Sequence, residues 1–232
     1  MRHGGVGFAI RTKLMTSVCE SPCTISSRLM RFQLNLEGGR VVTLFSCYAP
    51  TLAATEEEKE QFYDQLSSAT NTVSFKHQLF MIGDLNGRVG KDFKVWNKIL
   101  GHHGIGNENA NGSLLLEFCM AHSLVVTNTV FQQADKYKGS WMHPHSGHWH
   151  LTDFILTRQR DLCNIRLTRV MRATTSWSDH RMVRTSVFLT SKAAKCTHRA
   201  LRMKRFNVAK LNDETTCLAL QEELDEALQC SW

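Results

Sequence analysis

Apolar and polar positions alternate in short blocks along this chain, and two longer stretches carry helical spacing instead. Residues 6–11, Leu29–Leu36 and residues 41–48 read as strands. Glu37-Gly38-Gly39-Arg40 supplies a tight turn between the second and third of them, so the chain is expected to start antiparallel. Thr55-Glu56-Glu57-Glu58 has the form of a capping box, and Phe62 with Leu66 gives the helix that follows a core-facing stripe to about Thr72. Residues 79–82, Leu-Phe-Met-Ile, form an unbroken apolar run suited to a central strand. After a polar, glycine-rich loop, residues 113–122 read as a second helix and residues 124–127 as a strand. Further strands are expected near 139–142, 148–156 and 181–189. Strands flanked by helices, with hairpins at both ends, predict a layered α/β sandwich: two packed mixed sheets with helices outside.

Composition narrows this picture. A chain of 232 residues that is 42% hydrophobic can bury one substantial core, and its character changes only past residue 190. Residues 1–190 therefore read as one domain. Residues 191–232 read as a basic linker followed by an amphipathic helix with Leu218, Leu220, Leu224 and Leu228 as its stripe. No window approaches the ~20 apolar residues of a membrane-crossing helix, and no signal peptide is evident, so an intracellular protein of nucleus or cytoplasm is expected. The eight cysteines are scattered and mostly in apolar contexts, which predicts reduced, buried thiols rather than a disulfide framework. A net charge of +7 suits a polyanionic partner such as DNA or RNA, the alternative being a merely basic protein.

Candidate chemistry gathers in three places. The run LFMIGDLNGR, residues 79–88, delivers Asp84 and Asn86 into a glycine-flanked loop, and period-2 alternation sends both one way while Leu85 points back. The same sequence could open an ordinary turn in which Asp84 bonds its own backbone. Asp153 interrupts the apolar run Trp149-His150-Leu151-Thr152-Asp153-Phe154-Ile155-Leu156, and a carboxylate taken into a core needs a partner. His180, in Trp177-Ser178-Asp179-His180, is the natural one: a carboxylate fixes the imidazole tautomer and raises its pKa. His143, His145, His148 and His150 crowd into eight residues, but they straddle Pro144 with no nearby acidic or thiol ligand. They read better as a mildly cationic rim with Lys136, Lys138 and Arg158 than as a zinc site. Cys19 and Cys23 have a metal-like spacing without a second pair.

Four motifs in this order resemble the endonuclease/exonuclease/phosphatase superfamily: Cys47-Tyr48-Ala49-Pro50, Gly83-Asp84-Leu85-Asn86, Thr152-Asp153-Phe154 and Ser178-Asp179-His180. Within it the chain resembles the craniofacial development protein 2-like sequences, themselves derived from the endonucleases of non-LTR retrotransposons, through wording such as GVGFAIR, SWMHP and HWHLTDFIL, over roughly residues 4 to 190. The resemblance implies a DNase-like fold and metal-assisted phosphodiester hydrolysis with Mg²⁺ or Mn²⁺. It gives Asp84 the attacking water to orient or deprotonate, Asn86 that water to hold, and Tyr48 a hydroxyl for the phosphate. His180, charged and held by Asp153, would face the phosphate, and Asp179 would help hold the metal.

The family also has an early Asn and a metal-binding Glu on two strands ahead of the Gly-Val-Gly-Phe strand. Here that strand starts at Gly5, so neither residue has a counterpart and the domain is expected to be incomplete at its N-terminus. Thr51 stands where many relatives have Asn. Three functions therefore compete: a weakened Mg²⁺-dependent DNA endonuclease, a catalytically inactive nucleic-acid- or protein-binding remnant, and a phosphatase.

Overall fold

The computed structural model describes residues 5–18, 20–36, 38–172 and 178–188. Ten strands and two α-helices follow in order: β1 (Cys23–Ser26), β2 (Leu29–Leu36), β3 (Arg40–Tyr48), α1 (Glu56–Asn71), β4 (Gln78–Asp84), α2 (Ala110–Ala121), β5 (Leu124–Val126), β6 (Trp141–Met142), β7 (Trp149–His150), β8 (Asp153–Arg158), β9 (Ile165–Val170) and β10 (Val183–Val187). Six of the strands make a mixed sheet in the order β1-β2-β3-β4-β8-β5. Only the β3–β4 pair is parallel, and α1 provides the crossover that such a pair requires.

Local sequence explains these elements. Gly38 and Gly39 both take positive φ, 79° and 72°, which glycine adopts without strain in the short connection between β2 and β3. Thr55 accepts from the Glu58 amide while the Glu58 carboxylate accepts from the Thr55 amide, so the capping box forms as the sequence predicts.

β4 is buried on both faces, which is why its residues are apolar without alternation. On one face Leu79 and Met81 join Phe45, Phe154 and Leu156 beneath the helices, whose Phe62, Leu66, Leu115 and Leu116 complete the cluster. On the other, Phe80 meets Val42, Ile155 and Ile165, with Val183 and Val187 packed against them. The two-stranded β9–β10 sheet covers this second face, giving helices, six-stranded sheet and hairpin as successive layers. Burial of each large side chain here contributes about 1.5–3 kcal/mol.

Several expectations are corrected. Residues 6–11 form no strand and pair with none among the described residues, although Phe8 packs on Phe32 of β2; a 3-10 helix over Thr12–Ser17 follows instead. The expected strand over 148–156 is two strands in two sheets: β7 pairs with β6, and β8 with β4 and β5. Ser140 Oγ sits at the break and accepts from the amides of Thr152 and Asp153. β1 and β9 lie outside the sequence reading altogether. Arg158 is no phosphate rim: it ends β8 at the far side of the sheet and donates to the carbonyls of Val73, Ser74, Phe75 and His77, stapling the α1–β4 loop. Lys138 is engaged by Asp135. The expected linker and helix over 191–232 lie outside the described residues, as does Cys19.

Candidate active site

β4 and β8 end together at the same edge of the sheet. Their register sets Asp84 directly opposite Asp153, an arrangement that brings two carboxylates within about 5 Å at Cβ and would repel without a cation between them. His180 is that cation. Its Nδ1 lies 3.0 Å from Asp153 Oδ2 and its Nε2 3.9 Å from Asp84 Oδ2. An isolated bridge between Trp141 and His180 fixes the backbone that carries the ring.

The electrostatics follow from this geometry. Asp84 is pushed up to about 6, first by burial and then by the negative charge of Asp153. His180 is raised above its ordinary 6.5, chiefly by the hydrogen bond to Asp153, against burial that acts the other way. The folded-state value of His180 exceeds its unfolded one, so this pair stabilises the fold most fully below pH 6.5, and the contribution is lost as pH rises through the raised value. Asp153→Ala removes both the bond and the charge. In metal-free protein, NMR titration of the His180 ring is expected to show its pKa falling towards 6.5, while an unchanged value would mean that Asp84 and Asp179 suffice to hold the proton.

The other expected residues are close by. Tyr48, Asp84, Asn86 and His180 line one cleft of about 620 Å³ together with Thr51, Leu52, Arg88, Asn109, Trp141, His143, His150 and Thr152. Asn86 takes a left-handed φ of 46° and its amide donates to Asp84 Oδ1, so this segment does form the turn in which Asp84 bonds nearby backbone, and it does so at the cleft. The Asn86 side chain donates to Ala49 O at 2.8 Å, which ties the Tyr48 loop to the Asp84 loop and leaves Oδ1 as its other polar atom. Asn111 bridges Pro50 O and Asn86 O from below. Leu85, the residue expected to point back, is 1% exposed.

Asp179 stands apart. Its Oδ2 accepts from the Trp141 indole at 2.8 Å, and that bond, ahead of other causes, holds its carboxyl below the usual range. Among the described residues the one group able to offer a metal three ligand atoms, all within 4.8 Å of one another, is Asp84, Asp153 and His180. Two facing carboxylates, one with its pKa raised by the other, fit a hard divalent cation whose remaining ligands are water. The commitment of Asp153 Oδ2 to His180 leaves few oxygens for it.

Sequence reasoning missed the residues that build the site from behind. β5 stops at Val126, so the first half of β8 lacks a strand on that side, and Asn128 takes its place: Nδ2 donates to Asp153 O and Oδ1 accepts from Ile155 N. Nothing in the sequence signals this. Ser140 and Trp141 are different, since both sit in the SWMHP run that carries the resemblance. Arg28 lies 5.2 Å from the centre of the Tyr48 ring and exchanges backbone and side-chain bonds with Tyr48, a role visible only once β2 and β3 pair. His143 and His150 join the cleft beside Trp141, while His145 and His148 are exposed at the tip of the β6–β7 hairpin.

No family model matches the chain. By sequence it is similar to craniofacial development protein 2 of Bos taurus, 28% identical over 97% of this chain, and to that of Tragulus javanicus, 28% identical over 79%. It spans only 37% and 31% of the length of those relatives. By structure it is similar to the endonuclease domain of TRAS1, a telomere-specific non-LTR retrotransposon, with a TM-score of 0.52 and 16% identity over 71% of this chain and 65% of that one. With the mixed sheet, its two flanking layers and the ordered motifs on strand ends, the chain is similar in sequence to craniofacial development protein 2 and shares the fold of the TRAS1 endonuclease domain.

Proposed function

We propose that this chain is a nuclease-like phosphodiester hydrolase acting on DNA with the help of Mg²⁺ or Mn²⁺. The observation that carries the reading is the Asp84–His180–Asp153 array: a desolvated carboxylate and an imidazolium facing one cleft, each tuned by the other. A carboxylate whose pKa is pushed up to about 6 is a competent base near neutral pH, since it is ionised yet holds a proton more readily than a solvated one. His180 carries positive charge to where a phosphoryl oxygen gains negative charge. Tyr48 would add a hydroxyl donor, and Asn86 Oδ1 would orient water beside Asp84. A divalent ion, held by Asp84 and a free oxygen of Asp153, would supply further charge neutralisation at the phosphate.

The similar solved structure is an endonuclease domain, which favours nucleic acid over a small phosphate ester. A catalytically inactive remnant is the second reading. What favours it is Asp179, whose carboxylate is engaged by Trp141 and so contributes nothing to the close ligand group. A protein with this set should bind its metal weakly and act slowly. Within this reading the protein works in the nucleus or cytoplasm; no helix among the described residues is long and apolar enough to cross a membrane.

Nicking of supercoiled DNA separates the readings. The full chain is expected to convert supercoil to open circle with Mg²⁺ or Mn²⁺ in the millimolar range, to stop in EDTA, and to lose about 10²–10⁴-fold in rate with Asp84→Asn. Conversion that persists in EDTA, or that Asp84→Asn leaves intact, would remove the nuclease reading; no conversion by a protein that still binds DNA would leave the remnant.

A further inference from the structure

The hairpin that carries His180 has a cationic surface that the cleft chemistry does not use. β9 and β10 pair with Arg169 directly opposite Arg184. Inward positions on these strands are taken by Thr168 and Val170, both buried, so alternation turns Arg169 and Arg184 outward. The Met171 amide then donates to Met182 O, extending the pairing towards Arg172 and Arg181. Arg181 follows His180 directly and lays its guanidinium 3.2 Å above the Trp149 ring, against the β6–β7 hairpin at the cleft wall. Burial first, and then the charge of Arg172, depresses the basicity of Arg181. None of the four has a carboxylate within ion-pair distance among the described residues.

Facing like charges destabilise a strand pair, and no carboxylate among the described residues of this hairpin pairs with them. The partner that would do so is polyanionic, regularly spaced, and able to reach the cleft at the same time. A DNA backbone has these properties: its charges recur every few ångströms, and guanidinium groups bind phosphate oxygens in paired hydrogen bonds. Aromatic support beneath two of the arginines, Tyr137 under Arg169 at 5.1 Å and Trp149 under Arg181, lowers the entropy lost when they bind.

We propose that Arg169, Arg172, Arg181 and Arg184 form a phosphate-binding surface that holds duplex DNA on one side of the cleft, continuous with it through His180. The proposal rests on the nuclease reading only in taking DNA as the polyanion. It assigns no part in bond cleavage to the four arginines.

Anisotropy of a fluorescein-labelled duplex of about 20 base pairs, in EDTA and across a series of NaCl concentrations, tests it with the full chain. The variant is Arg172→Gln with Arg184→Gln, both exposed, so that the fold is kept. The slope of log affinity against log salt should become shallower by about 1.8, since each lost phosphate contact removes about 0.9. Arg172→Lys with Arg184→Lys should keep the slope, and so should Lys94→Gln with Lys98→Gln on the loop between β4 and α2. An unchanged slope in the glutamine variant overturns the proposal, as does an equal change in the Lys94/Lys98 control, which would mean diffuse charge. If the wild-type chain binds no DNA, the proposal and the nuclease reading both fall. A slope that responds as expected in a protein without metal-dependent nicking retains the proposal and removes only the catalysis.

Discussion

His180→Ala in the full chain is expected to lower Mg²⁺-dependent nicking by about 10³-fold, the loss typical of removing one preorganised charge or donor at a developing oxyanion. The larger consequence is electrostatic. With the imidazole gone, no side-chain cation remains between Asp84 and Asp153 across β4 and β8, so before the metal binds the two carboxylates must share a proton and Asp84 is driven further above its value of about 6. The base is then protonated at neutral pH and the positive charge is lost together. His180→Gln separates the two effects, because a glutamine amide still donates to Asp153 but carries no charge. Equally low activity in both variants, measured as nicking rate between pH 6 and 9, identifies the charge as what matters. Near-normal activity in His180→Gln would show that holding Asp153 in place is sufficient, and the reading of His180 as an electrostatic catalyst would be lost.

Gly83→Ala is expected to be the most destabilising single substitution at the site, by roughly 3–5 kcal/mol, and to abolish activity with it. Gly83 stands between Cys47 of β3 and Phe154 of β8, one residue before Asp84. Its φ is 152°, which L-residues rarely adopt, and a Cβ there would lie 1.8 Å from the Cys47 carbonyl oxygen. Backbone cannot step aside in the middle of a six-stranded sheet, so the strand would separate from β3 or twist Asp84 out of register with Asp153. Urea unfolding compared with Gly7→Ala provides the measure, since a Cβ at Gly7 meets nothing within 4 Å and should change stability by less than about 0.5 kcal/mol. A Gly83→Ala protein of wild-type stability would mean that β3 and β4 are not paired through Cys47 and Gly83.

These expectations draw on two kinds of information. Elements whose periodicity is complete within a few residues were legible in the sequence: the β2–β3 hairpin with its two glycines, the capped α1, the unbroken apolar β4, and the helix before β5. Their pattern is set by which face meets the core, and that face repeats locally. The motifs on Asp84, Asp153 and His180 were legible for a related reason, because a carboxylate inside an apolar run needs a partner and the sequence offers few.

What the tertiary structure alone decided is where the chain finds hydrogen-bond partners from elsewhere. Residues 6–11 have a strand's pattern but pair with no strand among the described residues, and an extended segment is stable only when its amides are paired. The run from 148 to 156 divides between two sheets because Ser140, twelve residues away, satisfies the amides at the break. β9 was invisible because arginine and threonine fill its outward and inward positions, and Thr168 is buried only by bonding Thr127 and Thr185. Arg158 reads as a phosphate ligand until the α1–β4 loop closes over its guanidinium, and the Trp141 indole meets the Asp179 carboxylate only once the β6–β7 hairpin lies beside it. In each case the competing partners are distant in sequence, and the geometry that chooses between them exists only after the sheets have assembled.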